Sequence, residues 1–251
     1  MSFKGKVVLV TGAGSGIGAA TAILFCKEGA EVVIVDKNEE NLRKVEQNCT
    51  KVGNKPLAIK ANVANDEDVK NIINETIAKY NKLDVLVNNA GVIRFGSILD
   101  GKLTEIYDEI MSINVRAVVQ LTTLAAPYLV KTKGNIVNVA SISGLTINKI
   151  ELGAYCTSKA ALIHFSRAAA LELAPHGVRV NVVSPGPVYT NILQNAGLAG
   201  GFDDFKEVTA LNNRISDPEE IADVIFFLAS GKARGITGSN YLSDNGKLLV
   251  K

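Results

Sequence analysis

The sequence predicts an α/β fold, with a single domain over residues 1–251 built on a doubly wound parallel sheet. Short β-branched runs alternate with stretches of helical periodicity along the whole chain. The runs are apolar at nearly every position, which is typical of strands buried on both faces of a sheet. A chain of 251 residues with 47% hydrophobic residues is also long enough to bury a full core.

The apolar runs predict six strands, at residues 7–10, 31–35, 57–61, 84–87, 135–139 and 178–183. Helices are predicted between and after them, at residues 17–28, 39–52, 66–80, 104–130, 154–174 and 217–230. Residues at the helix ends support these bounds. Asn65-Asp66-Glu67 is an acidic helix start, Pro175-His176-Gly177 ends a helix, and Asp217-Pro218 combines a cap with a first-turn proline.

Composition excludes several classes of function. The 27 basic and 25 acidic residues are spread along the chain and give a net charge of +2, so we expect no nucleic-acid partner. Cys26, Cys49 and Cys156 form no CxxC pair, which favours reduced thiols. The first apolar run is too short for a signal peptide or a membrane span, so we expect a cytoplasmic protein without a membrane partner. No cluster of His, Cys and carboxylates has metal-ligand spacing.

A glycine-rich loop lies between the first predicted strand and the first predicted helix, in the sequence Thr11-Gly-Ala-Gly-Ser-Gly-Ile-Gly18. The backbone approaches a pyrophosphate at this position of a βαβ unit, next to a helix amino terminus. Such a loop alone is also found as a simple turn. Asp36 ends the second predicted strand, where a carboxylate can hold both hydroxyls of an adenosine ribose, and it favours a dinucleotide site.

Tyr155 and Lys159 are four residues apart on a predicted helix, so they lie one turn apart on the same face. An ammonium about 4 Å from a phenol, at an effective dielectric constant of about 20, supplies about 4 kcal/mol. That energy corresponds to about 3 pKa units. We therefore expect Lys159 to lower the Tyr155 pKa toward neutrality, so that the phenol exchanges a proton with a carbonyl or an alcohol during hydride transfer. Without the other motifs, a tyrosine and a lysine at this spacing would be read as a pair of residues on the surface of a helix.

Taken together, the motifs closely resemble the short-chain dehydrogenase/reductase family, in the branch with chains of about 250 residues. The resemblance runs almost end to end. It is carried by Thr11-Gly-x-x-x-Gly-x-Gly18, Asp36, Asn88-Asn-Ala-Gly91, Asn114, Ser141, Tyr155-x-x-x-Lys159 and Pro185-Gly-Pro-Val188-x-Thr190. It implies a Rossmann-type sheet, a nicotinamide dinucleotide as cofactor and an alcohol or ketone as substrate. Because Asp36 would meet the 2′-phosphate of NADP with like charge, we expect NAD as the cofactor.

The resemblance also implies a role for individual residues. Tyr155 would be the general acid or base, Lys159 would bind the nicotinamide ribose and lower the Tyr155 pKa, and Ser141 would orient the reacting oxygen. Asn114 would hold a water that relays protons through Lys159, and Ser143 would face the substrate. The implied cofactor site comprises Gly12, Ser15, Gly16, Ile17, Gly18, Asp36, Asn62, Val63, Asn89, Ala90, Gly91, Tyr155, Lys159, Pro185, Gly186, Val188 and Thr190.

Two segments depart from the family pattern. Asn62-Val63 stands where Asp-Val is usual, and its amide oxygen can still accept a hydrogen bond from an adenine amino group. Residues 242–246 read Leu-Ser-Asp-Asn-Gly where Asp-Gly-Gly is common. By family analogy, and because the apolar tail Leu248-Leu249-Val250 would be exposed in a monomer, we expect a homotetramer.

Residues 191–213 interrupt the regular alternation of strands and helices. Their apolar residues recur among polar ones, at Ile192, Leu193, Ala196, Leu198, Phe202, Phe205, Val208 and Leu211. The resemblance implies that Val188 and Thr190 hold the nicotinamide carboxamide, and the segment begins one residue after Thr190. We therefore expect a lid over a mainly apolar pocket, with Ile192 and Leu193 in contact with a lipophilic substrate. A helix pair that only packs on the core is the alternative. For the whole chain, a non-enzymatic dinucleotide sensor and a 3-oxoacyl thioester reductase remain alternatives to an alcohol dehydrogenase or ketone reductase.

Overall fold

The computed structural model describes residues 2–147, 149–197 and 209–250. Seven parallel strands form one sheet in the order β3-β2-β1-β4-β5-β6-β7. The strands are β1 Val7–Thr11, β2 Glu31–Asp36, β3 Leu57–Lys60, β4 Val85–Asn88, β5 Asn135–Val139, β6 Arg179–Pro185 and β7 Asn240–Ser243. The doubly wound parallel sheet predicted from the sequence is confirmed.

The α-helices of the described residues are α1 Gly16–Lys27, α2 Glu39–Val52, α3 Asp66–Tyr80, α4 Leu103–Met111, α5 Ala117–Thr132, α6 Gly153–Leu173 and α7 Pro218–Ala229. The predicted end signals act as expected. Asn65 caps α3 by accepting hydrogen bonds from the amides of Glu67 and Asp68, at 2.9 and 3.1 Å. Glu220 reaches back to the Asp217 amide at 2.8 Å, at the start of α7.

Alternating residues of β1 pack into separate cores on the two faces of the sheet. Val8 and Val10 pack with side chains of α1 and α7, including Phe25. Val7 and Leu9 pack on the opposite face, with side chains of α3, α5 and α6 that include Leu121. Every β1 side chain is buried, and its first four residues, Val7 to Val10, form the apolar run that predicted the strand.

The helix predicted over residues 104–130 is interrupted. Residues Ser112–Arg116 form a π-helical turn between α4 and α5. A π turn adds a residue to the helix and is frequent at functional sites; this one carries the buried Asn114. Within the described part of the chain, Leu103–Thr132 is the one helical run that by length and composition could cross a membrane, a test that core helices of soluble proteins also pass.

The strand order reverses direction between β1 and β4, which pair in parallel at the centre of the sheet. The loops that follow these two strands therefore diverge to opposite faces and leave a crevice at the carboxyl edge. Ligands of doubly wound sheets bind in this crevice. Both the glycine-rich loop after β1 and residues 89–91 after β4 lie there.

Candidate active site

The glycine-rich loop lies close against the neighbouring backbone. A Cβ atom at Gly18 would lie 2.2 Å from the carbonyl oxygen of Gly12 and 2.5 Å from the Asn89 Nδ2 atom. Gly12 itself has a φ of +63°, and a Cβ there would lie 2.8 Å from the Ala90 Cα atom. Residues with side chains do not fit at either position, so the loop can pass close to β4 and present its backbone to the crevice.

Residues 89 and 90 are tied to the same loop. Asn89 Nδ2 donates to the carbonyl oxygens of Thr11 and Gly12, at 3.0 and 3.1 Å. The Thr11 hydroxyl oxygen accepts hydrogen bonds from the amides of Asn89 and Ala90, both at 3.1 Å. These four bonds hold the ends of β1 and β4 in a fixed relation.

Asp36 lies at the end of β2 with its carboxylate against the glycine-rich loop. Its Oδ2 atom accepts a hydrogen bond from the Gly14 amide at 2.9 Å, and its Oδ1 atom accepts one from the Asn38 amide at 2.9 Å. A Cβ atom at Gly14 would lie 2.8 Å from this carboxylate. The negative charge is therefore held at a fixed position in the cavity wall.

Asn62 and Val63 follow β3 and line the same cavity as Asp36. The Asn62 Oδ1 atom accepts a hydrogen bond from the Ala64 amide at 3.2 Å, and the Asn62 amide donates to Asp68 at 2.8 Å. A carbonyl oxygen has two acceptor sites, so Oδ1 keeps one for a further donor.

Ser141, Tyr155 and Lys159 meet at the carboxyl ends of β4 and β5. Ser141 follows β5 and caps a short turn, with its hydroxyl oxygen accepting a hydrogen bond from the Ser143 amide at 3.1 Å. Tyr155 and Lys159 lie one turn apart on α6 and are 7% and 4% exposed. The Lys159 Nζ atom is 5.8 Å from the centroid of the Tyr155 ring and donates to the Val139 carbonyl oxygen at 3.0 Å.

The expected lowering of the Tyr155 pKa does not occur in this structure. Burial raises the pKa of Tyr155 to about 12, and a hydrogen bond with Ser141 opposes the rise. Burial also lowers the pKa of Lys159 to about 8. The expectation placed the ammonium beside the phenol, whereas Lys159 is hydrogen-bonded to Val139 and the desolvation of both groups dominates.

Asn114 lies behind these residues, in the π turn. Its Oδ1 atom accepts a hydrogen bond from the Val92 amide at 2.8 Å, and its Nδ2 atom donates to the Val92 carbonyl oxygen at 2.9 Å. The position of a Cβ atom at Gly91 would be 3.3 Å from Asn114 Oδ1 and 3.4 Å from Lys159 Nζ. The amide oxygen and the ammonium thus face the same small space over Gly91.

The segment after β6 completes the carboxyl edge. Val188 pairs with Ser216 in an isolated parallel bridge, and the Tyr189 amide donates to the Ser216 carbonyl oxygen at 3.0 Å. Thr190 lies against the glycine-rich loop, since a Cβ atom at Gly16 would lie 2.8 Å from its methyl carbon. This side of the cavity is therefore held against both the loop and the chain before α7.

These elements enclose one cavity of about 520 Å³. Asn114 and Gly18 lie behind its wall, and every other site residue predicted from the sequence lines it. These residues are Gly12, Ser15, Gly16, Ile17, Asp36, Asn62, Val63, Asn89, Ala90, Gly91, Ser141, Ser143, Tyr155, Lys159, Pro185, Gly186, Val188, Thr190, Ile192 and Leu193.

Comparison with known proteins decides the family. A family model described as enoyl-(acyl carrier protein) reductase matches residues 12–247 of the chain. The chain is 40% identical to meso-2,3-butanediol dehydrogenase of Serratia marcescens, over 98% of its own length and 96% of the relative's. The chain belongs to the short-chain dehydrogenase/reductase family.

Two other members of the family are named for an activity that differs from that of the butanediol dehydrogenase. The 3-oxoacyl-(acyl-carrier-protein) reductase of Thermotoga maritima is 35% identical over 99% of this chain and 100% of its own. The crystal structure of 3-ketoacyl-(acyl-carrier-protein) reductase from Brucella melitensis, complexed with NADH, superposes with a TM-score of 0.87. It is 32% identical and covers 97% of this chain and 98% of its own.

The cavity fits the nicotinamide dinucleotide used by this family. Gly12 and Gly16 line it at positions where a Cβ atom would clash with Ala90 or Thr190, and α1 begins at Gly16 with no acidic residue in its first turn. The amides of that turn favour a pyrophosphate. Asp36 lies on the wall of the same cavity as Thr190, Tyr155 and Lys159, so one extended molecule can contact all of them.

Sequence reasoning missed several residues on the substrate side of the cavity. Ile93, Arg94, Lys149, Leu152 and Asn195 line it as well. Arg94 donates to Glu109 at 2.8 Å, and the Lys149 Nζ atom lies 5.4 Å from the centroid of the Phe95 ring. None of these residues belongs to a motif that the resemblance rests on. Proximity in sequence to Gly91 was the one signal that could have suggested the first two.

The predicted lid lies partly outside the described residues. Residues 198–208, with Leu198, Phe202, Phe205 and Val208, are among those not described. Leu193 is buried, and Ile192 and Ala196 pack against an apolar cluster that includes Ile93 and Tyr155. Closure of this segment over a substrate stays a prediction.

Proposed function

We propose that this protein is an NAD(H)-dependent oxidoreductase that interconverts a lipophilic secondary alcohol and its ketone. The observation that carries the proposal is the shared cavity, in which Ser141, Tyr155 and Lys159 lie at one end and the fixed Asp36 carboxylate lies at the other. When bound, the nicotinamide supplies or accepts the hydride. The protein's residues then bind the two molecules and move the proton.

Tyr155 is the group we propose as proton donor in ketone reduction. With a pKa near 12, the phenol is fully protonated at neutral pH and can donate to a carbonyl oxygen. Ser141, which hydrogen-bonds the phenol, would also hold the carbonyl oxygen of the substrate in place. In alcohol oxidation the phenol must first lose its proton. Lys159, whose pKa of about 8 keeps it mostly charged at neutral pH, would favour the phenolate that this step forms.

NAD is proposed over NADP because of Asp36. The carboxylate can accept hydrogen bonds from ribose hydroxyls, whereas a 2′-phosphate at the same place would meet a like charge. Lys37 also lines the cavity and would offset part of that repulsion. The NADH complex of the Brucella melitensis relative supports an assignment to NAD(H).

A lipophilic substrate is proposed from the wall beside Tyr155. An apolar cluster there contains Ile93, Leu152 and Tyr155, with Phe95 and Ile192 packed against it. The apolar side chains of this wall offer no hydrogen bonds to replace those that the hydroxyls of a sugar or another polyol make with water, which disfavours such substrates there. The similarity to a butanediol dehydrogenase supports a secondary alcohol as substrate.

Reduction of a 3-oxoacyl thioester is the second candidate. It is favoured by two relatives of similar length whose names state that activity, from Thermotoga maritima and Brucella melitensis. The chemistry at Tyr155 would be the same, since the 3-oxo group is also a ketone. The two candidates differ in whether a thioester-linked chain is needed for tight binding.

The deciding experiment follows the absorbance of reduced nicotinamide with NAD or NADH. The panel holds open-chain and cyclic secondary alcohols, their ketones, polyols and a 3-oxoacyl thioester. The proposal expects the highest kcat/KM with an apolar secondary alcohol or ketone. A preference for the thioester would favour the second candidate. NAD binding without turnover of any compound would favour a dinucleotide sensor.

The proposed lid has its own test. Proteolytic cleavage within residues 191–213 should be fast in the free protein and slow with NAD and substrate present, because closure would shield the backbone. Equal cleavage rates in both states would favour a segment that only packs on the core.

A further inference from the structure

Ser158 precedes Lys159 directly and has no role in the mechanism described so far. It is completely buried, at 0% exposure. Its hydroxyl donates to the Tyr155 carbonyl oxygen at 2.7 Å, and its oxygen accepts a hydrogen bond from Asn114 Nδ2 at 3.1 Å. Ser158 therefore connects the helix that carries Tyr155 and Lys159 to the π turn that carries Asn114.

The hydrogen bonds fix the orientation of the Asn114 amide. Oδ1 must face the Val92 amide, which can only donate, and both hydrogens of Nδ2 are used by the Val92 carbonyl oxygen and Ser158. A flipped amide would place its NH₂ group against the Val92 N–H group and would leave Ser158 without a donor. Asn114 Oδ1 keeps one further acceptor site. The atom faces the space over Gly91, which the Lys159 ammonium also faces.

We propose that Ser158 is a positioning residue that holds the Asn114 amide so that its oxygen faces Lys159. Through Asn114, Ser158 then determines how strongly the charged form of Lys159 is stabilised. The charge on Lys159 in turn determines how readily Tyr155 loses its proton. This inference rests on the proposed oxidoreductase function. Among the described residues, Cys156 is the other titratable group beside Tyr155. Burial raises the pKa of its thiol above the ordinary value.

Ser158→Ala removes the acceptor of one buried Nδ2 hydrogen, so that only the two hydrogen bonds to Val92 still hold the Asn114 amide. We expect kcat for alcohol oxidation at neutral pH to fall about tenfold, with KM for substrate and NAD within about twofold. The apparent pKa of the oxidation profile should rise by about half a unit, because the charged form of Lys159 is less well supported. Ser158→Cys keeps the shape with a weaker acceptor and should give an intermediate effect.

Ser166 provides a matched control on the same helix. It is 1% exposed, its hydroxyl donates to the Leu162 carbonyl oxygen at 2.7 Å, and it accepts a hydrogen bond from Asn138 Nδ2 at 2.8 Å. Its hydrogen-bond pattern copies that of Ser158, but the amide that it holds belongs to Asn138 and not to Asn114. Ser166→Ala should lower thermal stability by a similar amount and leave kcat and the pH profile unchanged.

A double mutant separates positioning from general stability. If Ser158 acts through Asn114, Ser158→Ala should cause no further loss of kcat in an Asn114→Ala background. Additive losses, or equal kinetic effects of Ser158→Ala and Ser166→Ala, would overturn the proposal. Titration of the Tyr155 phenol by phenolate absorbance, as a difference from Tyr155→Phe, needs no turnover. The apparent pKa of the phenol should rise in Ser158→Ala and not in Ser166→Ala. An apparent pKa in Ser158→Ala equal to that of the wild type also overturns the proposal.

The outcomes distinguish this proposal from the proposed function. Failure of the oxidoreductase proposal appears as a wild-type protein that turns over no alcohol or ketone. The phenol titration still tests Ser158 in that case. Failure of the Ser158 proposal alone leaves an active wild type whose pH profile is indifferent to Ser158→Ala.

Discussion

The Asp36 carboxylate accepts a hydrogen bond from the Gly14 amide, with 2.9 Å between Oδ2 and N. The bond joins the end of β2 to the loop between β1 and α1. It therefore places a negative charge at a set position beside the proposed pyrophosphate site, whatever molecule occupies the cavity. The proposed preference for NAD depends on this charge.

Asp36→Ala should narrow the preference for NAD over NADP, by weakening NAD binding and removing the repulsion of the 2′-phosphate. We expect the ratio of kcat/KM values for the two cofactors to change by about tenfold or more, the effect of about 1.4 kcal/mol. Asp223→Ala, which removes an exposed carboxylate from α7, is the control and should leave the ratio unchanged. A wild-type protein that uses NADP as well as NAD would contradict the assignment.

The two directions of the reaction should respond oppositely to pH. Oxidation needs the deprotonated phenol, and because burial raises the Tyr155 pKa to about 12, its rate should climb from pH 7 into the alkaline range. Reduction needs the protonated phenol and should be flat or fall over the same range. Initial rates in both directions, at saturating cofactor, check this. An oxidation optimum below neutral pH would be incompatible with Tyr155 as the base.

Gly18→Ala should damage the dinucleotide site and the fold together. The added carbon would lie 2.2 Å from the Gly12 carbonyl oxygen, so the loop must shift, at a cost of about 1–3 kcal/mol. Thermal unfolding and NAD titration should both show the loss. Gly231→Ala is the matched control, since no atom lies within 4 Å of its added carbon. Equal NAD affinity of Gly18→Ala and Gly231→Ala would contradict a glycine-rich loop that packs closely against Gly18.

A homotetramer is our proposal for the assembly. Several large apolar side chains near the carboxyl end are exposed in the single chain, with Leu249 at 83% and Leu242 at 49%. Burying them between copies would stabilise an oligomer. Light scattering at micromolar concentration should give four times the chain mass, and Leu249→Lys should lower the mass. A wild-type monomer would refute the proposal.

The sequence predicted the central sheet because fully buried strands leave an unmistakable apolar run. β7 was not predicted, since Asn240–Ser243 is a short edge strand whose residues are mostly half-buried. The π turn was also missed. It adds only one residue to a helical stretch, and the pattern of apolar residues in α4 and α5 does not reveal it.

The motifs predicted which side chains line the cavity, but they could not predict the pKa values of those side chains. The Tyr155 pKa depends on where the Lys159 ammonium points and on how much water reaches both groups, and neither follows from a spacing of four residues. Arg94 and Lys149 lie outside the family motifs, so tertiary packing alone brings them to the cavity wall. Substrate-side residues of this kind require a structure.

The central claim is that Tyr155 transfers the proton during hydride exchange with NAD. Tyr155→Phe tests it most directly, because the change removes one oxygen and keeps the ring in the buried cluster. The measurement is the rate of NAD reduction by the best secondary alcohol, with NAD affinity determined in parallel. We expect kcat to fall by about 10²-fold or more, with NAD affinity retained. A variant that oxidises the alcohol at the wild-type rate would contradict the account.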